Sequence, residues 1–391
     1  MSSNTPGIYK RGKTWTAHIH WTDIQGNRHQ KKYGGFPTKQ DAIRFRATFI
    51  NDVSSGKKRG SNSMTLARFL AEEWLPNRQL DLKASTAATY SNIIHSYILP
   101  HLGMMKLEEL TVRHVERFFK DLQTTGARGR SKSQRSSLTP KTVSNIANVL
   151  NRAYKDAIRW ELVATNPVHA ANKPSKRTRE MQAWTPEELM SFIDHTASDR
   201  LAGIWHLAAM SGMRRGEILG LRWTDVSFES GTISIRTTRV RAGNLTVVET
   251  PKSRKSKRTI KVDSRTLRAL ERWKAQQASE RLQIGELWPD ALGHVVTEPD
   301  GTLPNPNTFT RRFKAICHSL GLREIRLHDL RHSYVVAARR SGVDLKTISE
   351  RVGHADVNVT LAVYDHVFTE DDHEAATMIA DHVYGLGHKT G

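Results

Sequence analysis

Residues 325–342 read IRLHDLRHSYVVAARRSG. His328 and Arg331 lie three apart in this stretch, so a helix through it places both on one face. A competing reading sits in the same string. His328-Asp329-Leu330-Arg331-His332 has the spacing of the zinc-protease motif HExxH, with Asp where the general-base Glu belongs. The shorter acid draws that base back by about one methylene, no third ligand is evident, and the surrounding arginines repel a divalent cation. A zinc site is therefore not expected.

Upstream, residues 211–223 read SGMRRGEILGLRW. Ile218, Leu221 and Trp223 face a core, while Arg214 and Glu217, three apart on one helix, can pair. An ordinary helical salt bridge accounts for that pair taken alone. Residues 247–262, VVETPKSRKSKRTIKV, run as a strand into the turn Thr250-Pro251-Lys252 and out along Arg258 to Val262, which predicts Lys252 at a hairpin tip. A basic surface hairpin is the plain account of it. Downstream, in ISERVGHADVNVTLAVYDHVF at 348–368, His354 stands ten residues before Tyr364 and His366 two beyond it. A tyrosine ending a helix is ordinarily a packing residue.

The rest of the chain divides by pattern. Trp15, Ala17, Ile19 and Trp21 alternate with polar residues, Asp23 to Asn27 reads as a turn, and Arg28 to Tyr33 returns as a second strand. Thr38 is an N-cap for a helix carrying Ala42, Phe45 and Phe49. Asn51 to Ser63 has the composition of an exposed linker. Four helices follow: one capped by Thr65 with Leu66, Phe69, Leu70 and Trp74, one opened by Ser85 through Tyr90, Ile94 and Ile98, one opened by Thr111 through Val115, Phe118 and Leu122, and one opened by Thr139-Pro140 through Val143, Ile146, Val149, Leu150, Tyr154 and Ile158. Between the last two, GARGRSKSQRSS reads as a loop. After the basic stretch KPSKRTREMQ, Thr185-Pro186-Glu187-Glu188 combines N-cap, Pro at the first helical position and a capping-box Glu. The remainder is mostly helical in pattern, broken by β-rich runs from about Gly231 to Val262. The domain expectation is 1–60, 64–172, a linker at 173–184, and 185–391. The fold class is multidomain and mainly α: a small sheet with one helix, a helical bundle, and a mixed but mostly helical last domain.

The 391 residues carry 60 Lys and Arg against 39 Asp and Glu, a net charge of +21, which favours a polyanionic partner and places nucleic acid first. Residues 1–60 alone hold 12 Lys and Arg against 3 Asp. Neither a basic amphipathic helix, nor a lipidation signal, nor an apolar run of about 20 residues is present, so no membrane partner is expected. The N-terminal MSSNTPGIYKRGK lacks the apolar stretch of a signal peptide, and an intracellular, cytoplasmic, nucleoid-associated protein is expected. Cys317 is the only cysteine, which excludes an intramolecular disulfide and a cysteine-rich zinc module.

The joint order along the chain changes how each segment is weighed. Arg-x-x-Glu, a hairpin Lys, His-x-x-Arg, Gly-His and Thr-x-x-x-Tyr-x-His together resemble the active-site signature of the tyrosine recombinase, or phage integrase, family, from about Thr185 to Tyr384. Ser211 and Val352 stand where that family often has Thr and Leu. The resemblance implies that Arg214, Lys252, His328, Arg331 and His354 form the catalytic set, with Glu217 as supporting acid and Tyr364 as nucleophile. Residues 64–172 resemble the family's core-binding domain and residues 1–60 its arm-binding module. It further implies a 3′-phosphotyrosine intermediate, a homotetramer on DNA, double-stranded attachment sites of core and arm type, a DNA-bending host factor, a directionality factor, and a C-terminal helix, opened by Thr369, that docks on a neighbouring subunit.

The residue types suit that chemistry. A phosphodiester's negative oxygens repel a nucleophile, so an enzyme without metal needs fixed cations around phosphorus. The planar guanidinium of Arg214 and Arg331 binds phosphate oxygens bidentately. Ionising Tyr364 at pH 7 without help costs roughly 4 kcal/mol, so a base is needed, for which His328 is the candidate, with Lys252 as the acid for the departing 5′ oxygen and His354 as a phosphate donor. No GxxxxGK[ST] is present, and a tyrosyl phosphodiester keeps the energy of the broken bond, so neither ATP, another cofactor nor metal is expected. A type IB topoisomerase, a DNA-binding regulator without activity and a nucleoid protein are the alternatives, and the last explains the charge but not the ordered motifs.

Overall fold

Alternating apolar and polar residues build the strand Thr14–Thr22, whose Ala17 and Ile19 are fully buried. In the computed structural model it pairs antiparallel with both Ile8–Arg11 and Arg28–Phe36, making a three-stranded sheet with itself at the centre. The four-residue strand Ile8–Arg11 is an addition to the two expected strands, too short to show a period of its own. The side chain of Thr38 accepts the backbone N–H of Asp41 at 3.1 Å and opens the helix Lys39–Ser54, so Asn51–Ser54, expected as linker, are helical. Ala42 and Phe49 of that helix pack with Ile8, Ala17 and Ile19, ringed by Trp15, Trp21, Tyr33, Phe36 and Phe45. The described residues of the chain are 7–12, 14–22, 28–54, 64–126, 137–175, 182–250, 257–289, 292–353 and 380.

The expected helices follow with their caps. Thr65 accepts the N–H of Arg68, Thr111 forms a capping box with His114, and Thr139 accepts the N–H of Thr142. The first helix consists of Leu66–Arg68, a π-helical Phe69–Trp74 and Leu75–Gln79. The second begins at Ala84, one residue before the expected Ser85, and consists of Ala84–Ile93, a π-helical Ile94–Ile98 and Leu99–Leu102. Both π segments end two residues before a proline, Pro76 and Pro100. Proline cannot donate to the carbonyl four residues back and its ring crowds that carbonyl, so the wider turn accommodates it. Val112–Thr124 and Pro140–Arg159 complete the bundle. Phe69, Leu70, Trp74, Val115, Leu122, Val143, Ile146 and Leu150 are completely buried, each contributing about 1.5–3 kcal/mol by removal from water. Ile158 does not join them: near the end of its helix it is 37% exposed.

Thr185 and Glu188 form the expected capping box of Pro186–His195. Trp184, placed in the linker by composition, is instead a core residue, 1% exposed, its backbone N–H on Ser333 Oγ and its indole N–H on the Arg323 carbonyl. Ala202–Ser211, Ser264–Ile284, Pro306–Ser319, Leu327–Arg340 and the short helix Arg215–Leu219 share its core, while the short helix Leu345–Val352 packs through Ile348 and Val352 on Val335 and Val336. Thr232–Ile235 pairs antiparallel with Val226–Ser227 on one side and Arg258–Lys261 on the other. Thr238–Ala242 and Leu245–Glu249 form a separate two-stranded hairpin whose two-residue turn is Gly243-Asn244, with Gly243 at φ +63°.

That pairing corrects the expectation of a hairpin tipped by Lys252. The strands before and after it belong to different sheets, Leu245–Glu249 with Thr238–Ala242 and Arg258–Lys261 with Thr232–Ile235. Lys252, His354 and Tyr364 lie outside the described residues, as do the Asp23–Asn27 turn, most of the GARGRSKSQRSS stretch and, Ala380 apart, the C-terminal helix opened by Thr369. The chain divides into two compact units, Met1–Leu82 with Tyr90–Arg177, and Lys83–Thr89 with Thr178–Gly391. Among the described residues no helix is long and apolar enough to cross a membrane.

Candidate active site

The helix Ala202–Ser211 stops at Gly212, which has φ +64°. A Cβ there would stand 2.6 Å from Cδ1 of Tyr334, so both the backbone angle and the space require glycine. Ser211 Oγ, fully buried, donates to the Leu207 carbonyl at 2.6 Å and accepts Met213 N–H at 3.2 Å, completing the sharp turn. Arg214 leaves that turn as the N-cap of Arg215–Leu219. Its backbone N–H donates to Glu217 Oε2 at 2.9 Å and its Nη1 to Glu217 Oε1 at 2.8 Å. Its Nη2 donates to the Gly353 carbonyl at 2.9 Å.

Glu217 is 3% exposed and holds a second guanidinium as well, accepting from Arg258 Nη1 at 3.2 Å and Nη2 at 3.0 Å. Burial raises its pKa, but the Arg258 bonds and the charges of Arg258 and Arg214 outweigh it, and the net displacement is downward. It stays a carboxylate. Gly216, between Arg214 and Glu217, has no room for a side chain because Thr238 Oγ1 and the Arg239 carbonyl close on it, so the strand Thr238–Ala242 lies directly on this helix.

Arg331 is 2% exposed and donates from Nη1 to the Gly212 carbonyl at 2.7 Å, across 119 positions of sequence. One helical turn earlier, His328 is exposed, yet the protein mass around its ring and then the Arg331 charge lower its pKa. Its ring meets His332 edge to face at 5.1 Å. His332 is buried, and burial followed by the charge of His328 brings its pKa down to about 4. Asp329 is taken by Arg326, whose Nη2 and Nε donate to it at 2.7 and 2.9 Å. As a capping residue it is not available to act as a protease base. Among the described residues no three His, Cys, Asp or Glu side chains gather to hold a metal.

The helix Leu345–Val352 ends on Gly353 at φ +70°, and a Cβ there would lie 2.9 Å from Arg258 Nη1. So the glycine just before His354 is required by the same guanidinium that holds Glu217. Of the seven residues singled out, Arg214, Glu217, His328 and Arg331 are placed: the first two and Arg331 meet at the Gly212–Arg214 turn, and His328 stands one helical turn from Arg331. Sequence reasoning passed over Arg258, treating it as a strand residue. Its signal is faint, since it is one of five basic residues in KSRKSKR.

Residues 179–371 match the phage integrase family, residues 67–123 the phage integrase N-terminal SAM-like domain, and residues 7–53 the arm DNA-binding domain. The ICEBs1 integrase of Bacillus subtilis (strain 168) is 27% identical over 88% of this chain and 90% of its own length. Among solved structures, the Tn1549 transposon integrase in complex with transposon right end DNA is similar with a TM-score of 0.63 at 18% identity, over 80% of this chain and all of that one. A lambda integrase tetramer bound to a Holliday junction is similar with a TM-score of 0.52 at 17% identity, over 91% and 97%. At these identities the structures show a shared fold.

Proposed function

This chain belongs to the phage integrase family, a tyrosine recombinase with an arm-binding module that breaks and rejoins DNA in site-specific recombination, and we propose the following division of labour among its residues. Tyr364 attacks the scissile phosphorus, displaces the 5′ oxygen and leaves a 3′-phosphotyrosine. Arg214 and Arg331 hold the two non-bridging oxygens and offset the charge that builds in the pentavalent transition state. His328, neutral at pH 7 because its pKa is lowered, takes the tyrosine proton. Lys252 protonates the leaving oxygen, His354 donates to the phosphate, and Glu217 orients Arg214. The observation that carries this reading is the meeting of Arg214 and Arg331 at one turn, through Glu217 and the Gly212 carbonyl.

DNA is engaged by separate parts of the chain in this reading. Residues 1–60 recognise arm sites, 64–172 bind DNA of the core site, 173–182 are a linker, and 183–391 carry the catalytic residues. The sheet's register puts Arg11, His18, His20, Arg28, Gln30 and Lys32 on the face away from its helix. Such a basic, hydrogen-bonding surface suits a DNA groove. The assembly is a homotetramer acting on attachment sites inside the cell, assisted by a DNA-bending factor and a directionality factor.

The test uses a randomised library of nicked duplexes, with chelator and no ATP. Protein-linked strands are isolated under denaturing conditions and sequenced, and the linked peptide is mapped. A selected sequence attached to Tyr364, lost in Tyr364→Phe, supports the assignment; tight binding of a selected duplex with no adduct overturns it.

A further inference from the structure

The Arg258 guanidinium lies where three motifs of the site come together. Through Nη1 and Nη2 it holds Glu217, which in turn holds the Arg214 side chain and its backbone N–H. Through Nε it donates to the Arg351 carbonyl at 2.5 Å, and its Nη1, Cδ and Cζ fill the space beside Gly353 that a Cβ would need. The Gly353 carbonyl closes the ring by accepting Arg214 Nη2. Arg258 is itself 7% exposed at the side chain and opens the strand Arg258–Lys261, six residues after Lys252. A buried guanidinium–carboxylate pair adds little to stability, since desolvation offsets most of the attraction. Its planar fork, by contrast, fixes directions: two N–H groups on one carboxylate and a third on a carbonyl leave it no freedom to rotate.

From this arrangement we infer that Arg258 is a positioning residue for strand cleavage, setting the Arg214 guanidinium through Glu217 and the backbone turn that leads into His354. The inference rests on the cleavage reading above. A misplacement of about 1 Å at a reacting group costs about 100-fold in rate, so the effect belongs to the chemical step and not to DNA affinity. Lysine cannot substitute, because one ammonium cannot serve the Glu217 carboxylate and the Arg351 carbonyl in a fixed plane.

The experiment measures adduct formation in single turnover, at saturating protein, on the duplex recovered by covalent capture. Wild type, Arg258→Gln, Arg258→Lys, Glu217→Gln and the Arg258→Gln/Glu217→Gln double variant are compared, each with its dissociation constant and thermal midpoint. Adduct formation by wild type establishes the underlying reading independently of any variant. Cleavage by Arg258→Gln about 100-fold slower, with affinity within about threefold of wild type, is expected, as is a double variant hardly slower than Glu217→Gln. Arg258→Lys, which keeps the charge beside Glu217, serves if Arg258→Gln does not fold, and about a tenfold or greater loss of rate is expected of it. Wild-type cleavage by Arg258→Lys, parallel loss of affinity and rate, or multiplicative losses in the double variant would each overturn the assignment.

Discussion

In the helical bundle, Asp156 is the one buried charged side chain among the described residues, whereas the second unit buries Glu217, Asp225, Arg239, Asp329 and Arg331. Asp156 accepts the Trp74 indole N–H at 2.9 Å and is approached from outside by Arg78, Arg152 and Arg159 at 3.3–3.8 Å. Its charge is met at the rim of an apolar core. In the second unit the guanidinium groups of Arg331, Arg239 and Arg258 are themselves inside, with Arg214 half-buried beside them, and each donates to a backbone carbonyl: Gly212 for Arg331, Gly353 for Arg214, Arg351 for Arg258, Pro304 for Arg239. Charges so placed add little stability and gain fixed direction, which a reacting phosphate needs and the packing of a bundle core does not.

The sharpest way to break the contrast is at Arg331. Arg331→Gln should slow adduct formation about 1000-fold in single turnover, with duplex affinity nearly retained; a small loss would mean the buried guanidinium is structural, like Asp156. Glu217→Ala should come next, destabilising the second unit by about 3–5 kcal/mol in urea unfolding because Arg258 is left buried without its carboxylate. An acid-side difference follows from His332. Its folded pKa of about 4 lies below the ordinary 6.5, so the unfolded chain binds the proton first and stability is lost as pH falls through that window, by at most about 1.4 kcal/mol per pH unit. The slope should shrink in His332→Asn, as read from urea midpoints between pH 7 and 4.5; an unchanged slope would assign it elsewhere. The mildest change should be Asp156→Asn, which keeps a hydrogen bond to Trp74 and costs about 1 kcal/mol, with cleavage unaltered in the folded protein.

The bundle was also the easier region to read. Thr65, Thr111 and Thr139 cap the helices expected of them because a cap acts on N–H groups two or three residues away. Apolar spacing identified Phe69, Leu70 and Trp74 as core, but not the π turns, which answer to the prolines behind them. In the second unit the same local logic found Arg214 with Glu217 and His328 with Arg331, pairs three apart on a helix. It misplaced the hairpin. Gly243-Asn244, a two-residue turn between β-branched runs, is a stronger hairpin signal than the longer loop at Lys252. Trp184 reads as linker because the residues before it are polar and basic, while its own indole packs against Phe192 and Phe313.

By itself the sequence determined the bundle helices and the Thr65, Thr111, Thr139 and Thr185 caps, the excess of positive charge and the ordered motifs that identify the family, all of which depend on neighbours within one or two helical turns or on order along the chain. Tertiary structure alone decided that the Gly212 carbonyl receives Arg331 from 119 positions away, that the strands flanking Lys252 join different sheets, and that Arg258 stands between Glu217 and Gly353. The reason is that a buried guanidinium has five donors and no local preference among acceptors. Its partners are whichever carbonyls and carboxylates the packed chain brings within reach.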